Sequence, residues 1–178
     1  MLHFNSTLST LKTPGSFGWD NTASVVAAGS VPSYTGTSTY LILTKYNNYV
    51  GIGTGNGVNK VAVLDPNATQ QDEYSTATVM KEVITVKGVT PETSKGFPDA
   101  VKEWCINTAA VDPFTKSVII NSEDGKVYRW DFTSNSLSQE VVLTPGISEA
   151  YTPSVIGPDG VIYAINDAIL LAVGGAKP

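Results

Sequence analysis

The chain has 178 residues, 42% of them apolar and 15% charged, the balance of a globular protein able to bury one sizeable core. Its 11 Lys and Arg stand against 16 Asp and Glu, which excludes the basic stripe that nucleic acid or an anionic membrane surface would need as a partner. The single Cys105 excludes both an internal disulfide and a Cys/His metal quartet.

In chain order, the opening MLHFNSTLST carries neither the basic n-region nor the apolar h-region of a signal peptide. Residues 1–20 offer a strand-like start and a Gly-Trp step at Gly18-Trp19. His3 is the sole histidine; with no partner nearby in sequence it argues against Ser-His-Asp or Cys-His hydrolysis. Beyond residue 20, apolar residues come in short runs or alternate. The runs are rich in Val, Ile, Thr and Tyr and are bounded by Gly, Pro, Asn or Asp, which is the pattern of strands.

Strands are expected at 23–31, 39–46, 59–65, 80–88, 105–112, 117–122, 126–132, 138–144, 152–157, 161–166 and 168–174. Only FPDAVKEW (97–104) suggests a helical turn, and long loops are expected at 51–58, 66–78 and 90–103. The run GIGTGNG lacks the Gly-Lys-Ser/Thr ending of a phosphate cradle and no helix follows it, so it reads as a mobile loop. The closing AILLAVGG is too short to span a bilayer.

The strands repeat. Asn21-Thr22-Ala23-Ser24-Val25, Asn107-Thr108-Ala109-Ala110-Val111 and Tyr151-Thr152-Pro153-Ser154-Val155 align as three starts, and Trp19 and Trp104 precede the first two. NKVAVLD (59–65), GKVYRWD (125–131) and GVIYAIN (160–166) align as a common third element, so that NSEDGKVYRWDF at 121–132 is echoed by IGPDGVIYAIND at 156–167. Four antiparallel strands in about 44 residues is the size of one β-propeller blade.

The expected fold is all-β, a β-propeller of four-stranded antiparallel blades with about three per chain. Residues 1–178 form one domain: 1–20 complete a blade, 21–103 make a blade with long loops, 104–150 a compact blade and 151–178 a partial one. About three blades leave an open arc, and a homodimer about a twofold axis is expected to close a six-bladed ring. The alternatives are a first unit that holds two blades, and a longer propeller of which this is a part.

SEDGKVYRWDFTSNSL (122–137) and IGPDGVIYAINDAILLAVG (156–174) resemble the repeats of quinoprotein-like β-propellers, the group named after pyrroloquinoline-quinone dehydrogenases. The likeness covers 105–174 and, more loosely, 21–88. It implies a bacterial propeller working outside the cytoplasm, in a group where many members bind no quinone and serve as scaffolds. The sequence offers no calcium site beside a quinone, no catalytic carboxylate and no vicinal cysteine pair, so no quinone cofactor is expected. Ser122, Asp124 and Trp130 suggest the Asp-box of sialidase-like propellers, but Gly125 follows Asp124 directly and the spacing fails.

Asp65, Asp72 and Glu73 flank a loop with Asn67 and are weak candidates for a Ca²⁺ site, since hard cations take oxygen ligands. Their spacing is not that of an EF-hand, and a solvated loop accounts for them as well. Asp65, Asp112 and Asp131 at strand ends suit Asx turns, and Asp124-Gly125 and Asp159-Gly160 suit hairpins. Trp19, Trp104, Trp130, Tyr128, Tyr151 and Tyr163 recur at matching repeat positions and are expected to pack between blades; ligand stacking at the ring mouth, with Trp19, Trp104 and Tyr151 as its candidates, is the alternative. No catalytic residue is assigned. The expected function is a non-catalytic binding or scaffold module for a protein or saccharide ligand; the alternative is a metal-assisted lactonase or hydrolase with carboxylates in an axial channel.

Overall fold

The computed structural model describes residues 3–12, 22–93, 96–105, 107–145 and 152–174. Alternating apolar residues there form three antiparallel sheets, each running in chain order. The first holds β1 (Ala23–Ala27), β2 (Tyr40–Tyr46), β3 (Lys60–Gln71) and β4 (Thr78–Lys87). The second holds β5 (Ala110–Asp112), β6 (Ser117–Asn121), β7 (Lys126–Asp131) and β8 (Ser136–Val142). The third holds only β9 (Val155–Ile156), β10 (Ile162–Asn166) and β11 (Ile169–Val173). The fold is all-β, as the strand pattern predicts, with no α-helix among the described residues.

Side-chain alternation decides how the sheets stack. Leu41, Leu43, Val61 and Val63 face the second sheet, where with Val26 and Ile84 they meet Val118, Ile120, Tyr128, Trp130 and Phe132. The intervening Ile42, Ala62 and Leu64 point the other way and gather Tyr46, Val79 and Met80 into a separate cluster. Strand β6 divides similarly: Val118 and Ile120 look at the first sheet, while Ile119 joins Val127 and Ile162 against the third. Burial on both faces explains why SVIIN is a continuous apolar run rather than an alternating one. Each such fully buried aliphatic side chain contributes roughly 1.5–3 kcal/mol.

The leading strands β1, β5 and β9 lie next to one another along the stack. The hydroxyls of Thr22 and Ser24 donate to the carbonyls of Asn107 and Ala109 at 3.0 and 3.1 Å, tying β1 to the approach of β5. The three aligned starts lead into β1, β5 and β9, the first strand of each sheet.

Other expectations need correction. Residues 66–71 continue β3 instead of forming a loop, because a bulge between Asp65 and Thr69 takes up Pro66, which has no N–H to give a ladder. The β3–β4 hairpin then folds back over its own sheet. A straight strand would separate residues 60 and 73 by roughly 40 Å, yet Glu73 meets Lys60 at 2.5 Å and Tyr74 stacks on Tyr46 with ring centroids 5.6 Å apart.

FPDAVKEW is not helical. It opens on a single hydrogen-bonded turn, the Ala100 N–H donating to the Phe97 carbonyl at 3.2 Å, and continues with isolated bridges at Val101 and Trp104. Asparagine side chains from the first sheet hold it there, Asn59 donating to the Val101 carbonyl at 2.8 Å. The segment expected as strand at 105–112 is ladder-paired only from Ala110, the one at 152–157 only at Val155–Ile156, and the one at 23–31 gives way to a 3-10 turn at Ala28–Ser30. The glycine run expected as a loop is one, tethered at its end by the Gly57 N–H on the Asn48 carbonyl and the Val101 N–H on the Gly57 carbonyl.

The echo of 121–132 in 156–167 pairs strands that are not equivalent. GKVYRWD is the third strand of its sheet, but VIYAIN is β10, the second of its own. An Asp-Gly turn can precede any strand of a meander, so turn chemistry alone does not give the strand's place. The counterpart of β10 is SVIIN, and the counterpart of β7 is β11.

Residues 3–12 form a small turn closed by a Phe4–Leu11 bridge. They sit on the first sheet, His3 Nε2 lying 3.0 Å from the Tyr40 hydroxyl and Lys12 Nζ donating to Asn67 at 2.9 Å. No ladder joins them to the third sheet among the described residues. Trp19, Tyr151 and the rest of the terminal strand expected before residue 21 lie outside the described residues.

Candidate functional site: the open edge of the third sheet

The β10–β11 hairpin turns through Asp167 and Ala168, both in the left-handed region at φ 52° and 60°. Two such residues in succession give the tight turn whose twist suits antiparallel strands. It carries β11 back along β10, with Ile162 opposite Val173 and Asn166 opposite Ile169. There the sheet stops. Among the described residues no strand pairs with the far side of β11, whereas β7 and β3 in the other sheets have β8 and β4 beside them.

Beside that edge a cleft of about 410 Å³ opens between the second and third sheets. Its lining follows from register. Ile119, Arg129 and Gln139 share a face of the second sheet, and so do Val127 and Val141; across the gap stand Ile162 and Val173. The floor is apolar. The rim is polar and ordered, since Arg129 donates through Nε to Gln139 at 2.9 Å and through Nη1 to Ser117 at 2.7 Å. On β11 itself Ile169 and Leu170 are 56% and 66% exposed.

An unpaired row of backbone donors and acceptors beside an apolar trough suits an extended polypeptide, which would take its affinity from the main chain and its register from alternate side chains. Among the described residues that line the cleft there is one carboxylate, Glu140, which pairs with Lys126 at 2.9 Å.

The three carboxylates proposed from sequence do not come together; no group of three His, Cys, Asp or Glu among the described residues is arranged to hold a metal. Asp65 accepts hydrogen bonds from Ser38 (2.6 Å), Tyr34 (2.7 Å) and the Asn67 N–H (2.9 Å). Burial raises its pKa, but the bonds from Ser38, Asn67 and Tyr34, with the charge of Lys81, outweigh burial and leave the carboxyl below its usual range. Asp72 accepts from Ser75 at 2.7 Å, and Glu73 is paired with Lys60. Asp112 and Asp131 make the expected Asx turns, accepting the N–H groups of Phe114 and Thr115 and of Thr133 and Ser134. Asp124 exceeds its turn role by accepting from Thr90 at 2.5 Å and Tyr128 at 2.6 Å; burial and this carboxylate push the Tyr128 hydroxyl up to about 12.

Trp104 is 1% exposed and meets Tyr128 edge-on in the core, so no ligand can stack on it. A large aromatic side chain has more area to bury between sheets than any single ligand contact offers it. Trp19 and Tyr151 lie outside the described residues.

Sequence reasoning missed a set of buried polar residues that join the sheets. Asn121 and Asn166 end the second strand of their sheets, Asn47 directly follows the second strand of its own, and all three are buried. Asn47 clasps the Trp104 backbone, donating to its carbonyl at 2.7 Å and accepting its N–H at 2.9 Å, while Asn121 accepts from Ser154 at 2.5 Å. Asn47 and Asn121 thereby tie their sheets to the segments leading into the next. Lys45 is buried at the same seam and donates to the carbonyls of Cys105 and Asn107. The signal was present as KYNN, IINS and AIND, but an asparagine after a strand reads first as a turn former. In sequence, no protein-family model and no curated protein matches this chain.

Proposed function

We propose that the chain is a non-catalytic binding or scaffold module of the β-propeller type, its three sheets acting as blades, which engages a protein by adding an extended strand to β11. The observation that carries this reading is the third sheet, which among the described residues is one strand short of its neighbours and bordered by a cleft. The likeness of 122–137 and 156–174 to quinoprotein-like repeats supports the same architecture. So do the consecutive meanders with β1, β5 and β9 side by side, as the inner strands of stacked blades would be. A protein ligand is favoured over a saccharide because Trp104, the described stacking candidate, is enclosed in the core.

Phage-displayed peptides selected on the protein test the reading. Binders are expected to alternate apolar and polar residues and to lose about tenfold or more in affinity for Leu171→Lys, which puts a charge on the strand that borders the cleft. Binders indifferent to Leu171→Lys, or no binders to a form of the protein that sediments as single chains, would overturn it. The hydrolase alternative requires a cation held by converging carboxylates; a melting temperature equal in calcium and in chelator is the outcome expected here, and a calcium-dependent rise favours the alternative.

A further inference from the structure

We infer that the occupant of the β11 edge is a second copy of this chain, whose residues 3–12 and first sheet complete what the third sheet lacks. This rests on the reading of β11 as an open edge.

The two ends of the sheet stack are complementary. At one end, the third sheet turns an apolar face away from the second: Val155, Tyr163, Ile165, Leu170 and Ala172 share it by register, and all but Ile165 are exposed. Among the described residues that face has strands and no outer partner. At the other end, the face of the first sheet that points away from the second already carries an extra piece of chain, residues 3–12, held by His3 at Tyr40 and Lys12 at Asn67. The piece does not cover the whole face. Ala23, Val25 and Ala27 remain exposed along β1, Val25 at 69%, although Ile42, the cross-strand neighbour of Val25, is buried. One end thus offers inner strands without an outer one, and the other an outer segment over an uncovered inner strip.

A contact between unlike ends of two identical chains propagates unless rotation closes it. Two chains placed head to tail about a twofold axis make the contact twice, leave neither end open and stack about six sheets in a ring. The third sheet of each chain then covers Val25 of the other, and residues 3–12 of each come to the β11 edge of the other. The exposed β11 edge, an invitation to uncontrolled pairing in an isolated chain, is thereby closed.

Sedimentation equilibrium at micromolar concentration should find a particle of two chains instead of one of 18.8 kDa. Leu170→Lys and Val25→Glu each place a charge in the contact from opposite sides, and each should yield single chains with an unchanged near-ultraviolet circular dichroism spectrum. Mixed in equal amounts they should recover the two-chain particle, because one contact then pairs Lys with Glu and the other is wild type. Phe114→Ser, at a side chain 96% exposed elsewhere, should leave the wild-type particle intact. If Leu170→Lys does not fold, removal of residues 3–12 is expected to give single chains by the other route. A wild-type particle of one chain, or of more than two, overturns the inference, as does a two-chain particle indifferent to these changes. Selected peptides that still bind at β11 on a single-chain wild type would leave the strand-addition reading standing and remove only the second copy as its occupant.

Discussion

At the scale of single residues, Asp65 shows how a strand-end carboxylate becomes a fastener. Its oxygens organise the segment from Tyr34 to Ser38 and the bulge at Asn67 together. Because its folded pKa lies below the ordinary value of 3.8, its contribution is present above that value and is lost as pH falls through the lower, folded one. Asp112 and Asp131 are lowered as well: hydrogen bonds from Thr115 outweigh burial at Asp112, and the Ser134 N–H leads at Asp131. Stability should therefore decline below about pH 4. Asp65→Asn keeps the shape and removes the charge; it should cost about 1.5–3 kcal/mol at neutral pH and flatten the acid limb of a plot of melting temperature against pH. An acid limb unchanged by the substitution would remove Asp65 from this role. The Asx turns at Asp112 and Asp131 were legible in sequence because each depends on residues two or three positions away. The grip of Asp65 on Tyr34 and Ser38 was not, because its partners stand about 30 residues away in the chain.

At the scale of elements, the β10–β11 hairpin that presents the open edge is built with a mismatch. Ala168 sits at φ 60°, where a Cβ crowds the backbone. Ala168→Gly should stabilise the protein by about 1 kcal/mol, measured by denaturant midpoint at constant slope, since relief of strain exceeds the added freedom of the unfolded chain. The opposite sign is expected at Gly57, φ 77°, where an added Cβ would stand 2.7 Å from the Ala100 Cβ. Short strands with alternating or continuous apolar runs were readable because period two depends on the chain alone. The extension of β3 through Pro66 was not, since the bulge that accommodates a proline is a property of the paired strands.

At the scale of the whole molecule, asparagines at equivalent places link one sheet to the next. Asn47→Ala would strand the N–H and carbonyl of Trp104 in the core. It should cost roughly 2–4 kcal/mol and, because the clasp joins two sheets, should speed amide exchange in residues 100–105 as well as in β2. Protection lost in β2 alone would show that the clasp is not what couples the sheets.

The amino-acid sequence by itself determined that the chain is all-β, where most strands begin, that its units repeat, and which aspartates make turns. All of these depend on side-chain period and neighbouring residues. Only the tertiary structure decided that VIYAIN is a second strand, that Trp104 is core, that Asp65, Asp72 and Glu73 serve separate local contacts, and that β11 is an edge among the described residues. A strand's place in its sheet, and whether a polar side chain is already satisfied, depend on which distant segments lie beside it. That is set by packing across the stack, not by the order of residues along the chain.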